Sequence, residues 1–145
     1  MPVSGHYREN VIGLISAGSA TGLDPQYAET LQIVSYSIGG HYEPHVDYFN
    51  TYQHDQPMID QDRMATFLFY LNDVKAGGAT VFPLLGLSVP PRAGSALYWE
   101  NLDVRGVGHQ VTLHAGCPVL AGHKNIANLW FFYAGQLLTC PAGGD

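Results

Sequence analysis

Apolar residues recur along this chain in short bursts, and their period changes near residue 31. Val11, Ile12, Leu14 and Ile15 fall at helical spacing between Asn10 and Ala17, so residues 1–30 predict a helical preface. Within it, Asp24-Pro25 reads as an N-cap followed by a proline in the first turn, where a missing N–H costs nothing. From Leu31 onward β-rich runs take over, at Gln32 to Ile38, Tyr42 to Phe49, Met64 to Leu71, Thr80 to Phe82, Ser95 to Glu100, Gln110 to His114 and Asn125 to Tyr133. Turn formers bound them, among them Gly39-Gly40, Asn72-Asp73, Ala76-Gly77-Gly78, Pro90-Pro91 and Ala121-Gly122. Strands in that number behind a helical preface predict a mainly β fold with short helices, a sandwich or jelly roll over 31–135. The polar stretch Asn50 to Asp62 predicts an exposed mobile loop, and 136–145 a frayed tail.

Composition narrows the class. A chain of 145 residues with 46% apolar content is the size of one domain with a core of its own. Only 12% of residues are charged, and the net charge is -6. That balance argues against nucleic acid, because phosphates demand a cationic face. No apolar run is long enough to span a membrane, and the opening Met1-Pro2-Val3-Ser4-Gly5-His6 lacks the regions of a signal peptide. Cys117 and Cys140 stand too far apart for a Cys-x-x-Cys signature. A disulfide and two buried thiols remain equally open on these residues alone.

The candidate chemistry lies in His45-Val46-Asp47, with His114 and Lys124 downstream. Pro44 lacks an N–H and excludes a helix around it, so His45 to Asp47 is expected to be extended. Residues i and i+2 of an extended segment share a face, which lets an imidazole and a carboxylate converge on one metal. His114 is the best candidate for a third ligand, and two histidines with one carboxylate suit a non-haem Fe(II) oxygenase. His41 and His45 also stand four apart, as in a zinc peptidase helix. Tyr42 occupies the position where that motif needs Glu, and Pro44 breaks the helix it requires. Lys124 adjoins an apolar strand, where a cation needs an anionic partner, and a dicarboxylate cosubstrate would supply one.

Four blocks make the reading specific: Gly39-Gly40-His41-Tyr42-Glu43-Pro44-His45-Val46-Asp47, Arg63-Met64-Ala65-Thr66-Phe67, Ala76-Gly77-Gly78-Ala79-Thr80-Val81-Phe82-Pro83 and His114-Ala115-Gly116-Cys117-Pro118-Val119-Leu120. In this order they resemble the catalytic domain of the collagen prolyl 4-hydroxylase alpha subunit. The resemblance implies a double-stranded β-helix that binds Fe(II) and 2-oxoglutarate and uses ascorbate. It implies hydroxylation at C4 of peptidyl proline in a collagen-like or proline-rich peptide, with succinate and carbon dioxide as coproducts. His45, Asp47 and His114 would hold the iron. Lys124, with Tyr36 and Thr80, would hold 2-oxoglutarate, and Tyr42, Arg63 and Trp130 would serve the peptide substrate. The resemblance also implies the endoplasmic reticulum lumen, protein disulfide isomerase as a partner, and a setting that suits a Cys117 to Cys140 bridge.

Two positions depart from the family pattern. Asn125 stands where the family usually has Trp, and Phe132 where it usually has His. The chain is further expected to be truncated at its N-terminus, without the family's preceding regions and the domain's opening helix and strand. The alternatives are a non-catalytic divergent subunit that keeps the metal pocket for assembly, and a hydroxylase of another peptide residue.

Overall fold

The computed structural model describes residues 18–50, 52–53, 56–57 and 59–133. The expected helix at Asn10 to Ala17, the tail and Cys140 lie outside them. Asp24 caps a single 3-10 turn, Pro25–Tyr27, by accepting the Gln26 N–H at 2.9 Å. Just beyond this turn the preface is tied to the strands, because the Glu29 N–H donates to the Trp130 carbonyl at 2.8 Å.

Among the described residues twelve strands follow: β1 (Gln32–Tyr36), β2 (Tyr42–His45), β3 (Tyr52–Gln53), β4 (Gln56–Pro57), β5 (Arg63–Tyr70), β6 (Ala76–Gly77), β7 (Thr80–Phe82), β8 (Leu87–Val89), β9 (Ala96–Glu100), β10 (His114–Gly116), β11 (Val119–Ala121) and β12 (Lys124–Phe132). They build two four-stranded antiparallel sheets, β1-β12-β5-β9 and β2-β10-β7-β8, with two short ladders, β11-β6 and β3-β4. This is the jelly-roll arrangement expected from the run of short strands. Pro44 is accommodated because β2 is an edge strand, where one missing donor breaks no internal ladder.

Alternation along β5 and β12 divides the core. Ala65, Phe67, Leu129 and Phe131 point to one side and pack with Leu23, Ala28 and Leu31 of the preface. Leu68, Tyr70 and Ile126 point to the other side and pack with Phe82 and Trp99. Leu129 and Phe131 have no exposed surface, and burial of each is worth roughly 2 to 3 kcal/mol. The preface thus covers the back of β1-β12-β5-β9, the larger sheet because its strands are longer, and leaves its front free to face β2-β10-β7-β8, the smaller one.

The structure corrects four local expectations. Gln110–Thr112 is a 3-10 turn rather than strand, held by the Leu113 N–H on the Gln110 carbonyl, and pairing starts only at His114. Strand β2 ends at His45, so Asp47 sits on a bend. Residues 50–62 are not a structureless exposed loop: they carry the β3-β4 ladder and a 3-10 turn, Ile59–Gln61. Asp62 is buried and accepts from the N–H groups of Phe49, Asn50 and Arg63 at 2.7, 3.0 and 2.8 Å. Finally, Ala76-Gly77 and Ala121 pair across β6 and β11 instead of serving only as turns. Gly77 is required there, since its φ is +75° and a Cβ would collide with the Pro118 carbonyl.

Candidate metal centre

His45 closes β2 and His114 opens β10, and the two are cross-strand partners. The register shifts just beyond them, between His114 and Gly116, a local irregularity of the kind that re-aims side chains beside sites. Asp47, two residues past His45, turns back toward both rings. Its Oδ1 lies 3.4 Å from His45 Nε2 and 3.7 Å from His114 Nε2, and one ligand atom from each residue falls within 4.8 Å of the others.

The same device aims both imidazoles. His45 Nδ1 donates to the Glu43 carbonyl and His114 Nδ1 to the Thr112 carbonyl, each at 2.8 Å and each two residues back. Because a carbonyl can only accept, the proton belongs on Nδ1 and the Nε2 lone pair faces inward. Two nitrogen lone pairs and a carboxylate oxygen then oppose one another. Only a shared cation or added protons make that arrangement favourable, so the donor set fits a divalent metal. The separations fit as well, since cis ligands with bonds of about 2.1 Å stand about 3 Å apart.

Electrostatics follow from the same packing. Burial works against the His45 imidazolium, but the Asp47 carboxylate and the Glu43 carbonyl outweigh it and raise its pKa. For His114 burial dominates, and its pKa is lowered in spite of Asp47. Burial alone would raise the Asp47 pKa, yet His45, His114, Thr66 and Trp130 together bring it below the ordinary value. Around the rings, Trp99 meets His114 edge-on at 4.7 Å between centroids, and Tyr42 meets His45 likewise at 4.3 Å.

A cavity of about 650 Å³ opens on this cluster. Lys124, 3% exposed, lines it from the start of β12. Its Nζ lies over the rings of Tyr36 and Tyr70, 5.6 and 5.8 Å from their centroids. Among the described residues no carboxylate pairs with it, and burial pushes its pKa down to about 8. Thr80, also buried and cavity-lining, accepts the Tyr70 hydroxyl at 2.7 Å, which leaves its own proton to donate. An ammonium, a hydroxyl and the Tyr36 face therefore share a cavity wall with a need for an anion.

Trp130 lies six residues beyond Lys124 on β12, roughly 20 Å of strand. Its indole N–H reaches Asp47 Oδ2 at 3.1 Å. Arg63 stacks on the Trp130 ring at 3.9 Å and the Phe49 ring at 4.6 Å, and a fork of 2.6 and 3.0 Å ties it to Glu29. The exposed Tyr42 completes this side. All nine residues expected at the site thus line one cavity. Reading the sequence missed Glu29, Thr66, Tyr70, Trp99 and Asn101. The signal for Thr66 was a single hydroxyl inside an apolar run; Trp99 and Asn101 gave none, because their role depends on which strand lies next to β5.

The two departures from the family pattern fall outside the cavity lining. Asn125 faces away from Lys124 and accepts the Ser35 hydroxyl at 2.8 Å across β1. Phe132 follows a register shift and pairs with Arg63.

Residues 31–132 match the family model described as the 2OG-Fe(II) oxygenase superfamily. Human prolyl 4-hydroxylase subunit alpha-1 is 48% identical over 123 residues, which are 83% of this chain and 23% of that protein. Human prolyl 4-hydroxylase subunit alpha-3 is 52% identical over 128 residues, 86% of this chain and 24% of that protein. The chain therefore spans about a quarter of the length of these relatives. The crystal structure of a viral collagen prolyl hydroxylase from Paramecium Bursaria Chlorella virus-1, a 2OG complex, superposes with a TM-score of 0.68 at 28% identity. It covers 91% of this chain and 75% of that one.

Proposed function

This chain belongs to the 2OG-Fe(II) oxygenase superfamily, and from that membership we infer that it hydroxylates C4 of peptidyl proline with Fe(II) and 2-oxoglutarate. The observation that carries the reading is the convergence of His45, Asp47 and His114 beside a buried lysine with no carboxylate partner among the described residues. Bound there, Fe(II) would supply the oxidising chemistry: 2-oxoglutarate and oxygen are consumed, succinate and carbon dioxide leave, one oxygen atom enters the proline C4–H bond, and ascorbate keeps the metal ferrous.

The residues of the chain have three tasks. His45, Asp47 and His114 would hold the metal, and three protein ligands would leave it able to take further ones. Lys124 pairs its ammonium with the distal carboxylate of 2-oxoglutarate, Thr80 donates a hydroxyl proton to the same group, and Tyr36 packs along the cosubstrate. Such charge-assisted contacts place the reacting end by fixing the far end. Tyr42, Arg63 and the Trp130 ring on which it stacks line the part of the cavity that would receive a proline-rich peptide in extended form. Apolar walls from Val34, Leu68 and Ile126 exclude water from the centre.

The name of the alpha-1 relative, a prolyl 4-hydroxylase subunit, favours proline as the target, and that of the viral collagen prolyl hydroxylase favours a collagen-like substrate. From the resemblance to the collagen prolyl 4-hydroxylase alpha subunit we further propose the endoplasmic reticulum lumen as location and protein disulfide isomerase as a partner. Incubation with Fe(II), 2-oxoglutarate, ascorbate and a proline-rich peptide is expected to yield succinate and a peptide heavier by one oxygen on proline, read by mass spectrometry. Turnover that survives His114→Ala would remove the metal assignment. Joint binding of metal and 2-oxoglutarate without turnover would favour the non-catalytic subunit, and oxygen on another residue would change the substrate.

A further inference from the structure

Asp47 shows one carboxylate oxygen to the imidazoles and turns the other into the larger sheet. There Oδ2 accepts from Thr66 Oγ1 at 2.7 Å and from Trp130 Nε1 at 3.1 Å, and Thr66 Oγ1 in turn accepts from Asn101 Nδ2 at 2.8 Å. The register explains the meeting point. Thr66 of β5 stands directly across from Trp130 of β12 and Trp99 of β9, so three strands place one row of side chains under the metal ligands. Asn101 follows β9 immediately, and its backbone is held by the Met64 carbonyl and the His109 N–H at 2.7 and 2.8 Å.

We propose that Asn101 and Thr66 are positioning residues that hold Asp47 to ligation through a single oxygen, an inference that rests on the metal centre proposed above. A carboxylate turns easily about its last bond. Free to turn, it would offer both oxygens to the ion and occupy a position that the cosubstrate or oxygen needs. Thr66 has one proton to give, and Asp47, an ionised acceptor, takes it. The Asn101 N–H on the Thr66 lone pair keeps that proton pointing at Asp47. The amide does this at a cost, because its Oδ1 is buried without a partner among the described residues and the side chain has no exposed surface. An apolar side chain would leave no such acceptor unmatched, so what the carboxamide adds at this position is the N–H it gives to Thr66. Neither residue lines the cavity, and both act through Asp47.

The test measures Mn(II) affinity of the full chain by electron paramagnetic resonance, together with the visible spectrum of the Co(II) form, which reports coordination number. Thr66→Val is expected to weaken Mn(II) binding about tenfold and to alter the Co(II) spectrum. Thr66→Ser, which keeps the hydroxyl, stays near wild type. Asn101→Ala weakens binding on its own but adds nothing in the Thr66→Val background, because its effect passes through the hydroxyl. Thr66→Val with wild-type affinity and an unchanged spectrum overturns the proposal, as does an Asn101→Ala effect that is the same in both backgrounds. Should Thr66→Val fail to fold, Asn101→Ala decides, and unchanged affinity there overturns it. The control separates this from the underlying reading: wild type binds Mn(II) and His114→Ala does not. A folded wild type that binds no Mn(II) removes both.

Discussion

Lys124 carries the clearest conflict between stability and function in this chain. A cation at 3% exposure with no carboxylate partner among the described residues opposes folding. Lys124→Met, close in shape and uncharged, should therefore stabilise the ligand-free protein by about 1 kcal/mol, read as a higher melting temperature. The same change should lower 2-oxoglutarate affinity by roughly 30-fold or more, the loss of a charge-assisted contact worth about 2 kcal/mol. The sign of the pH effect follows from the lowered pKa. Below about pH 8 the free protein already holds the ammonium, and binding requires no proton. Above it, each binding event must take one up, so affinity should fall by about tenfold per pH unit until the higher pKa of the complexed amine is reached. Titration calorimetry across pH 7 to 10 measures this. On the acid side the raised pKa of His45 acts on the metal instead. Metal affinity should weaken as the pH falls through that value, earlier than for an ordinary imidazole.

Among the elements, the segment between β2 and β5 depends on one buried carboxylate. Asp62 accepts three backbone N–H groups, from both ends of that segment. One of these belongs to Asn50, whose φ of +53° is the one left-handed conformation of a non-glycine residue among the described residues. Asp62→Ala leaves three donors without an acceptor and should cost about 3 kcal/mol in urea unfolding. Asp62→Asn keeps one acceptor oxygen and should cost less. Since Phe49 and Arg63 adjoin these bonds and Arg63 stacks on both the Phe49 and Trp130 rings, the peptide KM should rise more than the KM for 2-oxoglutarate. Equal changes in both would detach this segment from the peptide face.

At the scale of the whole molecule, the two sheets divide the work. The smaller sheet presents the imidazoles, while the larger supplies Lys124, Trp130 and Thr66 from strands whose opposite face packs on the preface. Leu129→Ala, on that opposite face, should cost about 3 kcal/mol through the cavity it opens, yet leave metal affinity of the folded protein unchanged. Chemical denaturation followed by Mn(II) titration distinguishes the two effects. Metal and 2-oxoglutarate together should raise the melting temperature more than either alone, since each binds only the folded state.

Period and turn chemistry alone were enough for the mainly β class and for six of the seven expected runs, because alternation and glycine or proline boundaries are local properties. The candidate ligand set was legible for a related reason: the His45-x-Asp47 spacing is local, although a bend at Asp47 rather than the expected extended strand brings the carboxylate to the ring. The break of the expected Gln110 to His114 strand was not legible, since β propensity there yields to the turn that aims His114. Short strands such as β6 and β11 depend wholly on their partners. Nothing in the order of residues tells that Thr66 lies between Trp99 and Trp130, or that Asp62 folds back on Phe49. The sequence determined which groups are the candidates for holding a metal and a dicarboxylate. Strand order and register alone decided that those groups meet in one cavity, because a side chain's neighbours across a sheet are set by distant pairing rather than by its own segment.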